Sequence, residues 1–92
     1  MLEEKSIVKL SDGISLYGGE THKFYVFNTL SGDYFSTNAF GYSALIRVDG
    51  KTTIGQIVDD CVKSISVNRE TFLTDVIELF DSCMSKGVLE LV

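Results

Sequence analysis

The hydrophobic pattern of this chain changes period once, and that change constrains the fold more than any other feature. Up to about residue 36, apolar and β-branched residues follow the pattern of short strands; from residue 38 onward they follow helical spacing. The chain contains no proline, so glycines mark the ends of these segments. The pattern predicts an α+β fold in which a small sheet precedes a helical part.

Four segments have strand-like sequences: residues 5–10, 14–17, 22–29 and 33–36. The first two flank a Ser-Asp-Gly turn. The third is the strongest, because four consecutive residues from Phe24 are aromatic or β-branched and would cover both faces of a sheet. Ser31 and Gly32 then turn the chain toward the last segment. We expect a small three-stranded antiparallel sheet.

Three helices are predicted next, and each begins at a side chain that can cap it: Asn38, Thr53 and Asn68. The first is expected to continue to Asp49-Gly50, and the second to open with a Thr53–Gln56 capping box. The third carries an unusually wide apolar surface, formed by Phe72, Leu73, Val76, Ile77, Leu79, Phe80, Cys83 and Met84. Together the sheet and the three helices form a winged-helix-like arrangement, followed by an extended tail at residues 88–92. The third helix has enough apolar surface to pack against two partners.

Groups that carry catalysis or bind metal are scarce in this sequence. His22 is the only histidine and follows a Gly-Gly turn, where an exposed loop residue is expected rather than a general base. Cys61 and Cys83 lie within separate helical patterns, which favours buried, reduced thiols over a disulfide or a zinc site. No glycine-rich phosphate loop is present. We therefore expect no catalytic residue, no metal and no cofactor.

A chain of 92 residues is expected to form one domain, residues 1–92. Its first residues place acids where a secretory signal needs positive charge. No window approaches the roughly 18 apolar residues of a membrane span. We expect a cytoplasmic protein without membrane contact.

The charge of the chain bears on nucleic-acid binding. Three helices beside a small sheet suggest a winged-helix protein, but the net charge is -5. The third helix has an excess of acidic residues, with Glu70, Asp75, Glu78 and Asp81 against Arg69 and Lys86. Phosphate would repel this helix, so nucleic acid is not expected as a partner.

A series of short motifs stands in a characteristic order: Asn38-x-x-Gly41, Asp49-Gly50-x-x-Thr53-Ile54-x-x-Ile57, Asp75-Val76, Phe80 and Gly87-Val88-Leu89. Together they resemble the PqqD-like family, also called the RiPP precursor peptide recognition element, over residues from about 14 to 91. The hairpin around Gly32, followed by Tyr34 and Phe35, is also similar to that of the stand-alone leader-binding proteins of lasso peptide biosynthesis. One departure is Thr37, where the family usually has leucine.

The resemblance implies a non-catalytic domain that captures the leader of a ribosomally made precursor peptide and presents it to a modifying enzyme or leader peptidase. In the family the leader adds as a strand to the sheet edge, here residues 33–36, and lies against the third helix. The candidate peptide-binding residues are Asp33, Tyr34, Phe35, Ser36, Arg69, Leu73, Val76, Ile77 and Phe80. Two alternatives stay open: a winged-helix nucleic-acid binder, and a structural subunit that only docks to an enzyme.

Overall fold

The computed structural model describes residues 2–18 and 23–92. The expectation for His22 and the turn at Gly18-Gly19 therefore lie at least partly outside the described residues. The elements in chain order are β1 (Val8–Leu10), β2 (Ile14–Gly18), β3 (Phe24–Asn28), β4 (Tyr34–Thr37), α1 (Ala39–Leu45), α2 (Ile54–Val62), α3 (Arg69–Ser85) and β5 (Leu89–Leu91).

The main sheet has three antiparallel strands in the order β2-β3-β4, which confirms the expected sheet. Val26 lies opposite Phe35 across the β3–β4 pair. Gly32, with φ of 81°, makes the turn between these strands in a conformation that glycine adopts at little cost. The Asn28 side chain accepts hydrogen bonds from the backbone N–H groups of Leu30 and Ser31 and so holds the turn.

The first predicted strand is shorter than expected and lies outside the main sheet. β1 pairs antiparallel with β5, the predicted extended tail, and the two form a separate two-stranded sheet. The pairing follows from burial, because Val8 and Leu89 both lie in the core and are 1% and 2% exposed. The two ends of the described chain are thus joined to each other and leave the main sheet open.

The helix starts lie where the capping residues predict them. Asn38 accepts a hydrogen bond from the N–H of Gly41 at 2.7 Å, and Asn68 caps α3 in the same way. Thr53 and Gln56 form the reciprocal capping box of α2. The first helix, however, ends at Leu45 rather than near Asp49. Tighter i to i−3 bonds replace the helical ones over the next residues, as often occurs at a helix end.

The hydrophobic core lies between the inner face of the main sheet and the three helices. One stripe of α3 is fully in this core, with Phe72, Val76, Phe80 and Cys83 at 5% exposure or less. Val26 of β3 meets the stripe from the sheet side. Among the described helices, none combines the length and apolar character that crossing a bilayer requires. The core stripe fixes which sides of α3 remain available to a partner.

A candidate peptide-binding groove

The outer edge of β4 is open for pairing. The N–H of Asn28 donates to the carbonyl oxygen of Asp33 at 2.8 Å, which fixes the alternation of bonds along the β3–β4 pair. Tyr34 and Ser36 therefore point their backbone N–H and C=O groups away from β3. Within residues 2–18 and 23–92, no strand pairs with that side of β4. This edge can accept an added strand.

A cavity of about 420 Å³ lies where the end of β4 meets the first half of α3, and we call it the Asp75 cavity. Its residues include Thr37, Phe40, Phe72, Asp75, Val76 and Leu79. Phe40 is 47% exposed, and its ring lies 6.4 Å from that of Phe72, centre to centre. The Asp75 cavity is therefore a mainly apolar depression with one carboxylate at its border.

A second cavity, of about 410 Å³, lies at the other end of β4. It is beside Lys86, the residue that follows α3, and we call it the Lys86 cavity. Its residues are Val26, Asn28, Asp33, Tyr34, Phe35, Lys86 and Val88. The Nζ atom of Lys86 lies 4.2 Å from the centre of the Phe35 ring, a cation–π contact. The β4 edge and the two cavities together form the β4–α3 groove.

The predicted site residues on the sheet all lie at this groove. Asp33, Tyr34 and Phe35 line the Lys86 cavity, and Ser36 is exposed on the edge strand. Phe35 points toward the core side of the sheet, whereas Tyr34 points to the other face, since neighbours in a strand alternate. This part of the site could be predicted from the sequence alone, because the four residues are consecutive in one hairpin.

The predicted apolar residues on α3 lie on two sides of the helix, the core stripe and the flank away from the groove. Val76 lines the Asp75 cavity, although only 1% of it is exposed. Phe80 is fully buried at 0% exposure, so it supports the groove wall from the core instead of lining it. Leu73 and Ile77 border neither cavity and pack on the core from the opposite flank. At about 100° per residue, they lie across the core stripe from Asp75.

Arg69 also lies away from the groove. Its guanidinium donates to Asp59 of α2 at 2.6 Å and forms an ion pair with Glu4. These two carboxylates raise the pKa of Arg69 above its ordinary value. Arg69 therefore joins α3 to α2 and to the N-terminal segment, and it borders neither cavity of the groove.

Beside Val76, the groove wall on α3 includes residues outside the predicted set. Thr71, Asp75 and Leu79 line the Asp75 cavity from consecutive turns of the helix. Their i, i+4, i+8 spacing is visible in the sequence. Two of the three are polar, so a search for apolar periodicity passes over them.

The outer face of the sheet carries a patch of aromatic rings. The ring centres of Tyr25, Phe27 and Tyr34 lie 5.6 to 6.2 Å apart. Tyr17 belongs to the same face, since it lies opposite Tyr25 in the β2–β3 pair, and it is 60% exposed. We call these four residues the outer aromatic patch. It faces away from the core and shares Tyr34 with the groove.

Among the residues that the structure describes, reactive groups do not gather at the groove. Across the described parts of the chain, no cluster of three His, Cys, Asp or Glu residues could hold a metal ion. Cys61 and Cys83 are free thiols, 1% and 0% exposed. Burial raises the pKa of the Cys83 thiol to about 11, so the reactive thiolate is disfavoured there. What the groove offers is backbone pairing, apolar surface and a few charges.

Comparison with known families identifies the fold. The family model described as "Coenzyme PQQ synthesis protein D (PqqD)" matches residues 20–89. The chain belongs to the PqqD family. The match runs from just before β3 into β5, so it includes the β3–β4 hairpin, all three helices and both cavities of the groove. A comparison with curated proteins finds no match.

Solved structures share the PqqD fold over nearly the whole chain. The PqqD truncation of Methylobacterium extorquens PqqCD, a stand-alone RiPP recognition element, is 20% identical, with a TM-score of 0.82 over 98% of this chain and 95% of that one. TbiB1 in complex with the TbiA(beta) leader peptide is 23% identical, with a TM-score of 0.74 over 89% and 94%. Lasso peptide synthetase B1, complexed with its leader peptide, is 17% identical, with a TM-score of 0.74 over 90% and 96%.

Proposed function

We propose that this PqqD-family protein binds the leader segment of a ribosomally synthesised precursor peptide by strand addition to β4 and presents it to a modifying enzyme or leader peptidase. The observation that carries the proposal is the open β4 edge beside a groove on α3. Structurally similar proteins, TbiB1 and lasso peptide synthetase B1, were solved with leader peptides. Lasso peptide biosynthesis is therefore one setting for this protein.

In strand addition, backbone hydrogen bonds provide affinity and side chains provide specificity. The outward N–H and C=O groups of Tyr34 and Ser36 would pair with any extended peptide and give affinity with little sequence preference. Alternate side chains of the added strand would point toward the two cavities and supply specificity. Each apolar anchor fully removed from water contributes on the order of 1.5 to 3 kcal/mol.

The proposal includes no catalytic step, no nucleic acid and a cytoplasmic location. The burial of both cysteines as free thiols supports the absence of a catalytic step and a cytoplasmic location. The acidic character of α3, where Glu70, Asp75 and Glu78 are exposed, supports the absence of nucleic acid. Duplex binding needs clustered cations that neutralise phosphates. Salt-dependent retention on duplex DNA would favour the winged-helix alternative, and we expect none.

A pair of variants at Ser36 tests strand addition directly. Proline at this position removes an outward N–H while leaving the β3–β4 bonds intact, and proline is tolerated on edge strands. We expect Ser36→Pro to weaken binding of the leader peptide at least tenfold in isothermal titration, and Ser36→Ala to leave it within twofold. The ligand is a synthetic leader of the precursor encoded beside this gene. Circular dichroism verifies that both variants fold.

The proposal fails if no precursor encoded nearby gives saturable binding to the wild-type protein. It also fails if Ser36→Pro and Ser36→Ala bind the leader equally well, because the edge of β4 would then take no part in binding.

The outer aromatic patch favours a second role, the docking of the enzyme that receives the peptide. Exposed rings that lie together are typical of protein interfaces rather than of free surface. Tyr17 is the member farthest along the sheet from β4, because β3 separates its strand from the edge. We expect Tyr17→Ala to weaken co-purification with the enzyme encoded beside this gene while the leader affinity changes less than twofold. Equal enzyme recovery for variant and wild type would contradict this role.

A further inference from the structure

We propose that the Asp75 cavity recognises a lysine or arginine of the bound leader, and that this residue lies about five positions from an apolar side chain entering the Lys86 cavity. This inference rests on the proposed function and adds the side-chain chemistry of the ligand. It is carried by the composition of the Asp75 cavity and by the lengths of helix and strand between lining residues of the two cavities.

Among the described residues that line the Asp75 cavity, Asp75 is the one ionisable residue. The other polar lining groups are threonine hydroxyls and asparagine amides, and the remaining wall is apolar. None of the ion pairs found among the described residues involves Asp75. The cavity thus combines apolar walls with a carboxylate that no cation of the described chain neutralises.

A ligand that covers this cavity removes water from the Asp75 carboxylate. Covering a charge without a partner is costly, so an apolar side chain alone would lose part of what its own burial contributes. Lysine and arginine avoid that loss, because their aliphatic stems cover apolar surface while the charged head stays at the border. The exposed ring of Phe40 offers the stem and the head a further surface.

Lining residues of the two cavities are separated by similar lengths along the two walls of the groove. Along α3, Asp75 and Lys86 are separated by about 16 Å at 1.5 Å per residue. Along the strand, the lining residues Asp33 and Asn38 are also separated by about 16 Å at 3.3 Å per residue. An extended peptide covers this length with about five residues. Side chains on one face of a strand repeat every two residues, so the anchors would be four or six apart.

Selection from a peptide library tests the motif with no leader sequence in hand. A phage-displayed library of random dodecapeptides is selected on wild-type protein, on Asp75→Asn and on the control Asp81→Asn. The control makes the same charge change on α3, and Asp81 lines neither cavity. We expect wild type and control to enrich Lys or Arg four or six positions from Leu, Ile or an aromatic residue. Asp75→Asn should keep the apolar preference and lose the basic one.

Affinities of one selected peptide then measure the contact itself. Replacing its basic residue by glutamine should weaken binding to wild type and to Asp81→Asn about tenfold, and to Asp75→Asn less than twofold. Asp75→Lys should prefer a glutamate at that peptide position. An equal loss for wild type and Asp75→Asn, or selected peptides without a basic residue, would overturn the inference.

Failure of the inference is distinguishable from failure of the proposed function. Peptides that require the β4 edge, as judged by loss of binding to Ser36→Pro, but carry no basic anchor would overturn only the inference. If the wild-type protein enriches no peptide, or if binding is indifferent to Ser36→Pro, strand addition itself is wrong.

Discussion

Asp49 shows how one side chain organises a connection that the hydrophobic pattern leaves undefined. Its carboxylate accepts hydrogen bonds from the backbone N–H groups of Lys51 and Thr52 at 2.8 Å, and from the Thr52 hydroxyl at 2.9 Å. Gly50 beside it has φ of 77°. The residue therefore defines the turn between α1 and α2, which sets how the first helix approaches the other two.

The charge of Asp49 makes this turn sensitive to pH. The bonds from Lys51 and Thr52 lower its pKa below the ordinary value of 3.8. Because the pKa is lower in the folded state, the ionised form stabilises the fold above about pH 4, and this contribution disappears as the pH falls through the lowered pKa. We expect Asp49→Asn to lower the melting temperature at pH 7, and the difference from wild type to shrink as the pH falls below about 4. A melting temperature difference independent of pH would contradict this origin.

The helices owe their positions in the chain to short-range bonds at their first turns. In α2, the Thr53 hydroxyl accepts from the N–H of Gln56 at 3.2 Å, and the Gln56 side chain accepts from the N–H of Thr53 at 3.1 Å. Both partners lie within four residues of each other. Such bonds can be predicted from sequence because they need no information about the rest of the fold.

Removing the oxygen at the start of α2 tests the value of the cap. We expect Thr53→Ala to reduce the free energy of unfolding by about 1 kcal/mol, since one N–H of the first turn loses its partner. Thr53→Ser keeps the oxygen and should remain within about 0.5 kcal/mol of wild type. Urea denaturation provides both values. Because Thr53 lines neither cavity, leader affinity should not change.

The rotation of α3 is the feature that the sequence could not supply. The width of its apolar surface predicts two partners but does not say which flank faces which partner. The structure places Leu73 on the flank away from the groove and Leu79 at the Asp75 cavity. That choice depends on contacts with distant segments, such as the ion pairs of Arg69 with Asp59 and Glu4. Local sequence patterns do not identify those distant partners.

At the scale of the whole molecule, the two-stranded sheet of β1 and β5 ties the two ends of the described chain to the core. This pairing could not be predicted from local sequence, because nearly the whole chain separates the two strands. The pairing has a consequence for function: since β5 pairs with β1, it does not cover β4.

Two leucines of β5 provide a matched test of how much the β1–β5 pairing contributes to stability. Leu89 is 2% exposed in the core, whereas Leu91 is 57% exposed in the same strand. We expect Leu89→Ala to reduce the free energy of unfolding by about 2 to 5 kcal/mol, a large part of the stability of a small domain. Leu91→Ala should change it by no more than about 0.5 kcal/mol. If urea denaturation gives a loss for Leu89→Ala as small as that for Leu91→Ala, β5 contributes little to the core.

The division of α3 into a core stripe and a groove flank also affects how recognition can be retargeted. In β4, Phe35 packs on the core and Tyr34 contacts the outer rings, so substitutions at these two positions would disturb the fold or the outer aromatic patch. Thr71 and Asp75 are exposed and border only the groove flank, so they can be varied with little loss of stability. Libraries that aim to accept a foreign leader should randomise the helix and keep the hairpin constant.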